Sequence, residues 1–153
     1  VERALDYGDY SCQIELNPEF YHDANPAKPK VVSLEKYIVI ERKHSIDEIA
    51  GNMKDDKDGD AKDKTRFERE MMRSKADGCK IVLMLENFSF DRVLKGNVAG
   101  NYRSQMLPHV IATRINTFVA HYGLHLITLN DKIIAGQMIQ QLLARYAYEY
   151  LKE

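Results

Sequence analysis

Between Lys80 and Glu86 the chain reads Ile-Val-Leu-Met-Leu, an apolar run with a charged residue at each end. Side chains of a strand alternate between two faces, so a strand that is apolar throughout needs cover on both. The run is too short for a helix of ordinary length. It is therefore expected to be the central strand of a sheet with helices on either side. Glu86, at its end, can be an acid near a site or a strand-end residue at the solvent boundary, and the sequence leaves both open.

The rest of the chain supplies the elements such a sheet requires. Tyr10, Cys12, Ile14 and Leu16 alternate with Ser11, Gln13 and Glu15, so Ala4 to Leu16 is expected as a strand around Gly8-Asp9. Asn17 to Lys30 carries Pro18, Pro26 and Pro29 and reads as a loop. Val31 to Lys43 returns as the partner strand or strands, bending near Ser33–Lys36. Ser45 with Glu48, and Thr65 with Glu68, have capping-box spacing. They predict one helix buried through Ile46, Ile49, Ala50 and Met53, and a second running to about Asp77, with Gly78 as its stop. Phe67, Met71 and Ser74 share one face of the second helix. Ser104 to Tyr122 is expected as a helix with Pro108 in its first turn, buried through Leu107, Val110, Ile111, Ile115, Phe118 and Tyr122. His125 to Leu129 reads as a strand. A last helix, capped by Asn130 or Asp131, carries a stripe of Met138, Ile139, Leu142, Leu143 and Tyr146. The expected order is β-β-α-α-β-α-β-α, an α/β mixed sheet flanked by helices. A length of 153 residues suits one domain, 1–153.

The chemistry concentrates where the second predicted strand ends. Ile38-Val39-Ile40 is β-branched throughout, and Glu41-Arg42-Lys43 follows directly. Alternation sends Glu41 and Lys43 to one face and Arg42 to the other. A carboxylate beside an ammonium at a strand end can hold a metal ion and prepare a water. Metal-dependent phosphodiester cleavage needs at least two carboxylates around the ion, and Asp9 is a second one if an antiparallel pairing brings it beside Glu41. Asp9, Glu41 and Lys43 together follow the Asp…Glu-x-Lys logic of restriction-type nucleases. A surface salt-bridge cluster does not explain a charged triplet on an otherwise apolar strand.

Other charged features have plainer readings. Lys54 to Lys64 holds Asp56-x-Asp58-Gly59, as a calcium loop does, but Lys54 and Thr65 stand where that loop needs acids; a solvated loop fits better. Arg66, Arg69 and Arg73 form a basic stripe that is either a solvated face paired with Glu68 and Glu70 or a track for phosphates. His121 and His125 have the i, i+4 spacing of a zinc pair, but Gly123 breaks the helix between them. Gly96 to Asn101 contains no phosphate-binding loop motif. Cys12 and Cys79 form neither a zinc knuckle nor a disulfide framework, which favours a reducing compartment: cytoplasm, or nucleus in a eukaryote. No apolar run approaches the ~20 residues of a membrane span. The net charge of −1 means that any DNA contact must use a local patch. Tyr148, Tyr150 and Leu151 join Leu143 and Tyr146 in more apolar tail surface than one buried stripe requires. That surplus is either a broad core face or a partner surface.

Gly8-Asp9-Tyr10 with Glu41-Arg42-Lys43-x-x-x-Asp47 resembles the G-D…E-R-K-x-x-x-D signature of XPF-type structure-specific endonucleases. The order of elements after it, including a helix with Arg66-Phe67 and a strand ending in Glu86, follows that family's nuclease domain along essentially the whole chain. The resemblance implies a restriction-endonuclease-like fold and a Mg²⁺- or Mn²⁺-dependent DNA endonuclease acting on branched or flap DNA near single-strand junctions. It implies Asp9 and Glu41 as metal ligands, with the Arg42 backbone carbonyl as a further candidate, and Lys43 orienting or activating the water. Arg42 would contact phosphate or lock a neighbouring carboxylate. Asp47 occupies the motif's last position, although an acid in a first helical turn is also favourable for the helix dipole alone. The family implies Arg66, with Arg69 and Arg73, as DNA contacts, and a homodimer through the last helices. An earlier strand with an Asp-x-Arg-type motif is also implied, so the domain is expected to be N-terminally truncated. The alternatives are a non-catalytic DNA-binding or dimerisation subunit of the same fold, and a restriction-type or junction-resolving nuclease sharing only the metal site.

Overall fold

Lys80–Glu86 forms the middle strand, β4, of a three-stranded sheet. It lies between β3 (Ile38–Lys43) and β5 (His125–Leu129), parallel to both. The computed structural model describes residues 4–16, 31–52, 65–96, 102 and 104–152. Its other elements are β1 (Gln13–Glu15), β2 (Val31–Ser33), α1 (Ile46–Asn52), α2 (Arg66–Asp77), α3 (Phe90–Leu94), α4 (Pro108–Tyr122) and α5 (Lys132–Lys152). Parallel neighbours need crossover connections. α1 and α2 lie between β3 and β4, and α3 and α4 between β4 and β5.

Both faces of β4 are covered, as its apolar run requires. Ile81, Leu83 and Leu85 pack with Val39, Ile49, Ala50, Phe67, Met71, Ile111 and Ile115, so α1, α2 and α4 cover one face. Val82 and Met84 pack with Ile38, Ile40, Ala135, Ile139 and Leu143, so α5 covers the other. This is the restriction-endonuclease-like α/β arrangement expected from the sequence. Its antiparallel component is small. β1 pairs with β2 in a separate ribbon, Gln13 opposite Ser33, and Tyr10 forms a single antiparallel bridge to Ile40 on the edge of β3 away from β4.

The opening segment is thus a strand only over Gln13–Glu15, shorter than its alternation from Ala4 suggests. The helix ends follow the predicted chemistry more closely. Thr65 accepts from the Glu68 N–H, and Gly78 stops α2 at φ 71°. Ser45 accepts from the Glu48 N–H, while the Glu48 carboxylate accepts from the N–H of His44. Asp131 caps α5 by accepting from Ile133 and Ile134.

α4 begins at Pro108 rather than Ser104, and Leu107 is exposed. The Ser104 N–H is taken by the Asp47 carboxylate, and the Ser104 hydroxyl accepts from the Met106 N–H. These side-chain bonds hold the approach to α4 in a turn. α3 was not expected; Ser89 caps it and Val93 buries it. The predicted loop Asn17–Lys30, Met53, the charged stretch Lys54–Lys64 and residues 97–101 of the glycine-containing loop lie outside the described residues. Among the described residues no helix is long and apolar enough to cross a membrane.

Candidate active site

The end of β3 carries its charges on alternate faces. Val39, Glu41 and Lys43 face α1, α2 and α4; Ile38, Ile40 and Arg42 face the other way. Glu41 and Lys43 are only 4% and 8% exposed. Lys43 Nζ lies 2.7 Å from Glu41 Oε1 and 3.9 Å from Glu48 Oε1, and 5.1 Å from the centre of the Phe67 ring. Burial pushes the Glu41 carboxyl up. The Lys43 ammonium opposes that shift, Asp9 and Glu70 add to it, and the net direction is upward. Desolvation thus outweighs the Lys43 ammonium 2.7 Å away, and burial sets the direction.

Asp9 reaches this strand end through the Tyr10 bridge. Its N–H donates to the Ile40 carbonyl at 2.8 Å, and its Oδ2 accepts from the Arg42 N–H at 2.7 Å. Gly8 allows the approach. Its φ is +75°, and a Cβ there would lie 2.8 Å from Val39 Cβ. Only a residue without a side chain brings the segment this close in that conformation.

On the opposite face, Arg42 Nε donates to Glu86 Oε1 at 3.0 Å, and Arg42 Nη1 lies 3.4 Å from the Tyr10 hydroxyl. His44 Nδ1 is 2.7 Å from Glu86 Oε2. Glu86 has no exposed surface. Burial alone would push its carboxyl up, but the hydrogen bonds from Arg42 and His44 outweigh that and hold it below the ordinary carboxylate range. Of the two readings left open for Glu86, the geometry selects neither an acid beside Glu41 nor a solvent-boundary residue. It is a covered anion on the other side of the sheet.

The remaining sequence-derived residues lie around this centre. Asp47, in the first turn of α1, holds the Ser104 N–H at 2.9 Å. Arg66, Arg69 and Arg73 are exposed on α2, with Phe67, Met71 and Ser74 buried behind them. Arg66 pairs with Glu70 at 3.0 Å, and Arg73 donates to the Asp6 carbonyl. Glu70 also raises Glu41, so the foot of the arginine stripe is electrostatically linked to the strand end. Sequence pattern does not mark Glu48, beside Lys43, or Glu70 as site residues. Alternation along a strand cannot say which helical side chains will face it.

Among the described residues no cluster of three or more His, Cys, Asp or Glu side chains could hold a metal by itself. The Asp9 and Glu41 carboxylates act on one another electrostatically, and both offer oxygen donors. Mg²⁺ commonly binds through one or two carboxylates and completes its shell with waters and substrate phosphate oxygens, so these residues fit such an ion.

A model of the ERCC4 domain matches residues 1–142. The chain belongs to the ERCC4 domain family. The match spans Asp9, the Glu41-Arg42-Lys43 triplet, Asp47 and the α2 arginines, and it bears out the XPF-type resemblance. ERCC4 domains have a nuclease-type fold and belong to a family that acts on DNA. No curated protein and no solved structure matches the chain.

Proposed function

We propose that this ERCC4 domain is a Mg²⁺- or Mn²⁺-dependent DNA endonuclease that hydrolyses a phosphodiester bond of branched or flap DNA near a single-strand junction. The observation that carries the reading is the buried Glu41–Lys43 pair, 2.7 Å apart, with Asp9 secured to the same strand end. Asp9 and Glu41, with the Arg42 carbonyl, would hold the ion. When bound, the ion supplies positive charge at the scissile phosphate and makes water a better nucleophile.

The chain's own groups have separate tasks. Lys43, tethered by Glu41 and within reach of Glu48, orients the attacking water and adds positive charge where the phosphate gains negative charge. Burial keeps competing solvent away from the pair. Arg42 is engaged by Glu86, which fits a locking role better than direct contact with phosphate. Asp47 ties the approach of α4 to α1 and so shapes one wall. Arg66, Arg69 and Arg73 follow the DNA backbone, where arginine's planar fork suits phosphate oxygens. The choice of branched DNA rests on the family likeness alone. A homodimer is proposed through α5, where Ile133, Ile134, Tyr148 and Leu151 remain exposed.

A panel of flap, splayed-arm and plain duplex DNA, with and without Mg²⁺ or Mn²⁺, tests the reading. Metal-dependent cutting of the branched substrates ahead of plain duplex is expected. DNA binding with no cutting of any substrate in either metal would replace it with a non-catalytic DNA-binding subunit. Equal cutting of plain duplex would favour a restriction-type nuclease.

A further inference from the structure

We infer that Glu86 is a positioning residue for cleavage, clamping β3 from behind so that Glu41 and Lys43 are presented in fixed orientation on the other face. The inference rests on the reading of Glu41 and Lys43 as the cleaving pair. Glu86 itself touches neither of them and lies on the opposite side of the sheet.

The geometry is that of a two-point clamp. Arg42 and His44 flank Lys43 in sequence, and both turn their side chains to the same carboxylate. Arg42 Nε reaches Oε1 at 3.0 Å, and His44 Nδ1 reaches Oε2 at 2.7 Å. An ionised carboxylate carries no hydrogen, so Nδ1 of His44 is the donor. The last ladder pair of the two strands is Lys43 with Leu85, and the clamp carries the connection on just where that ladder ends. Rotating the strand end about its axis would break one attachment or the other. Asn87, at φ 53°, adds a bond from its side-chain amide to the His44 carbonyl at 3.3 Å. The Arg42 N–H meanwhile meets Asp9 on the edge of β3 away from β4.

A plainer explanation would make Glu86 only a neutraliser for Arg42. It does not account for the second oxygen being used by His44, a half-exposed residue that could have turned to water. Nor does it account for a carboxylate with no exposed surface at a strand end, where burying an ion is unfavourable unless each lone pair is used. Groups behind a reactive set that fix its orientation commonly matter about 10–100-fold when altered.

The test compares the wild-type domain with Glu86→Gln, which keeps the volume but removes the negative charge that both Arg42 and the His44 N–H bind and leaves one acceptor oxygen in place of two. Cleavage of flap DNA is measured well below the melting point of each protein, and amide hydrogen exchange is followed by NMR. The expected result is a kcat lower by about 10–100-fold with KM for DNA unchanged within about twofold. Exchange at the Arg42 amide should speed up by about tenfold or more while the Ile40 amide, which donates to the Tyr10 carbonyl, stays protected. Unchanged exchange at Arg42, or an unchanged kcat, overturns the inference. If the wild type cuts no DNA, the cleavage reading fails and the exchange comparison alone decides the clamp, faster Arg42 exchange upholding it. Should Glu86→Gln not fold, His44→Ala removes one attachment from a half-exposed position. It should lower kcat by about threefold to tenfold, and His44→Asn, which can return an N–H to Glu86, should restore it. Wild-type kcat in His44→Ala, or no recovery in His44→Asn, overturns the inference.

Discussion

Gly8→Ala isolates the contact that brings Asp9 to the strand end. An L-residue at φ +75° costs about 1–2 kcal/mol. The new Cβ would also lie 2.8 Å from Val39 Cβ and 3.0 Å from Val39 Cγ2. Carbon atoms prefer about 3.5–4.0 Å, so one side must retreat by roughly an ångström. Val39 is fully buried near the start of β3 and cannot. The segment around Asp9 must therefore move, straining its 2.8 Å bond to Ile40 and the 2.7 Å bond from Arg42. Weakening one or two such bonds costs about 0.5–1.5 kcal/mol each. The total is about 1.5–5 kcal/mol, a fall in melting temperature of about 3–20 °C for a domain of this size. Displacing Asp9 by about an ångström should also cut the cleavage rate by ~10²-fold. Gly78→Ala is the control. It has a similar φ, +71°, but nothing within 4 Å of its Cβ, so it carries the strain without the collision. It should lower melting by about 2–8 °C and leave cleavage unchanged. Calorimetry and a cleavage time course on both proteins decide the matter. Equal melting of the two variants, with wild-type cleavage in Gly8→Ala, would refute the reasoning.

Because burial raises Glu41, its ionisation disfavours the fold: its contribution is fully present below the unfolded carboxyl value and lost as pH rises through the raised folded one. The melting temperature of the wild type should therefore fall relative to that of Glu41→Gln as pH rises from about 4 to 7, on top of a pH-independent loss in the variant from leaving the buried Lys43 ammonium without its partner; a difference between the two that does not change with pH would contradict this. Arg66→Ala and Arg69→Ala should each weaken DNA binding to a similar degree for all sequences and reduce the salt dependence by about one phosphate contact. Binding isotherms at several salt concentrations check this, and an unchanged slope removes α2 from the interface. Tyr148→Asp should shift the domain to monomer in sedimentation, and a wild type that is monomeric at high concentration excludes the α5 homodimer.

Much of this architecture could be read from periodicity alone. The apolar run at Ile81–Leu85 places β4 between two helical layers, and alternation separates Arg42 from Glu41 and Lys43. Capping residues Thr65 and Gly78 mark both ends of α2 because they act locally. Contacts distant in sequence were not legible. The register that brings Asp9 to Arg42 is set by one bridge, Tyr10 to Ile40, across a wide sequence gap. The start of α4 depends on Asp47 reaching Ser104, a tertiary bond that no local pattern encodes. Glu86 was visible as a strand-end acid, but its use by both Arg42 and His44 needs two strands in register. The tail tyrosines divide for a similar reason. One helix, α5, must cover a whole face of the sheet, so Tyr146 and Tyr150 pack inward, the latter edge-on to Tyr37 at 5.1 Å. Tyr148 is left exposed.

Single-turnover cleavage of a flap substrate by Glu41→Gln and Lys43→Ala, with DNA affinity measured alongside, tests the central claim most directly. Each variant should cut ~10²-fold or more slowly than the wild type in Mg²⁺ or Mn²⁺. DNA affinity should stay within about threefold, because neither side chain belongs to the arginine stripe that binds phosphate. Cleavage at the wild-type rate by either variant would contradict the assignment of the β3 strand end as the active site.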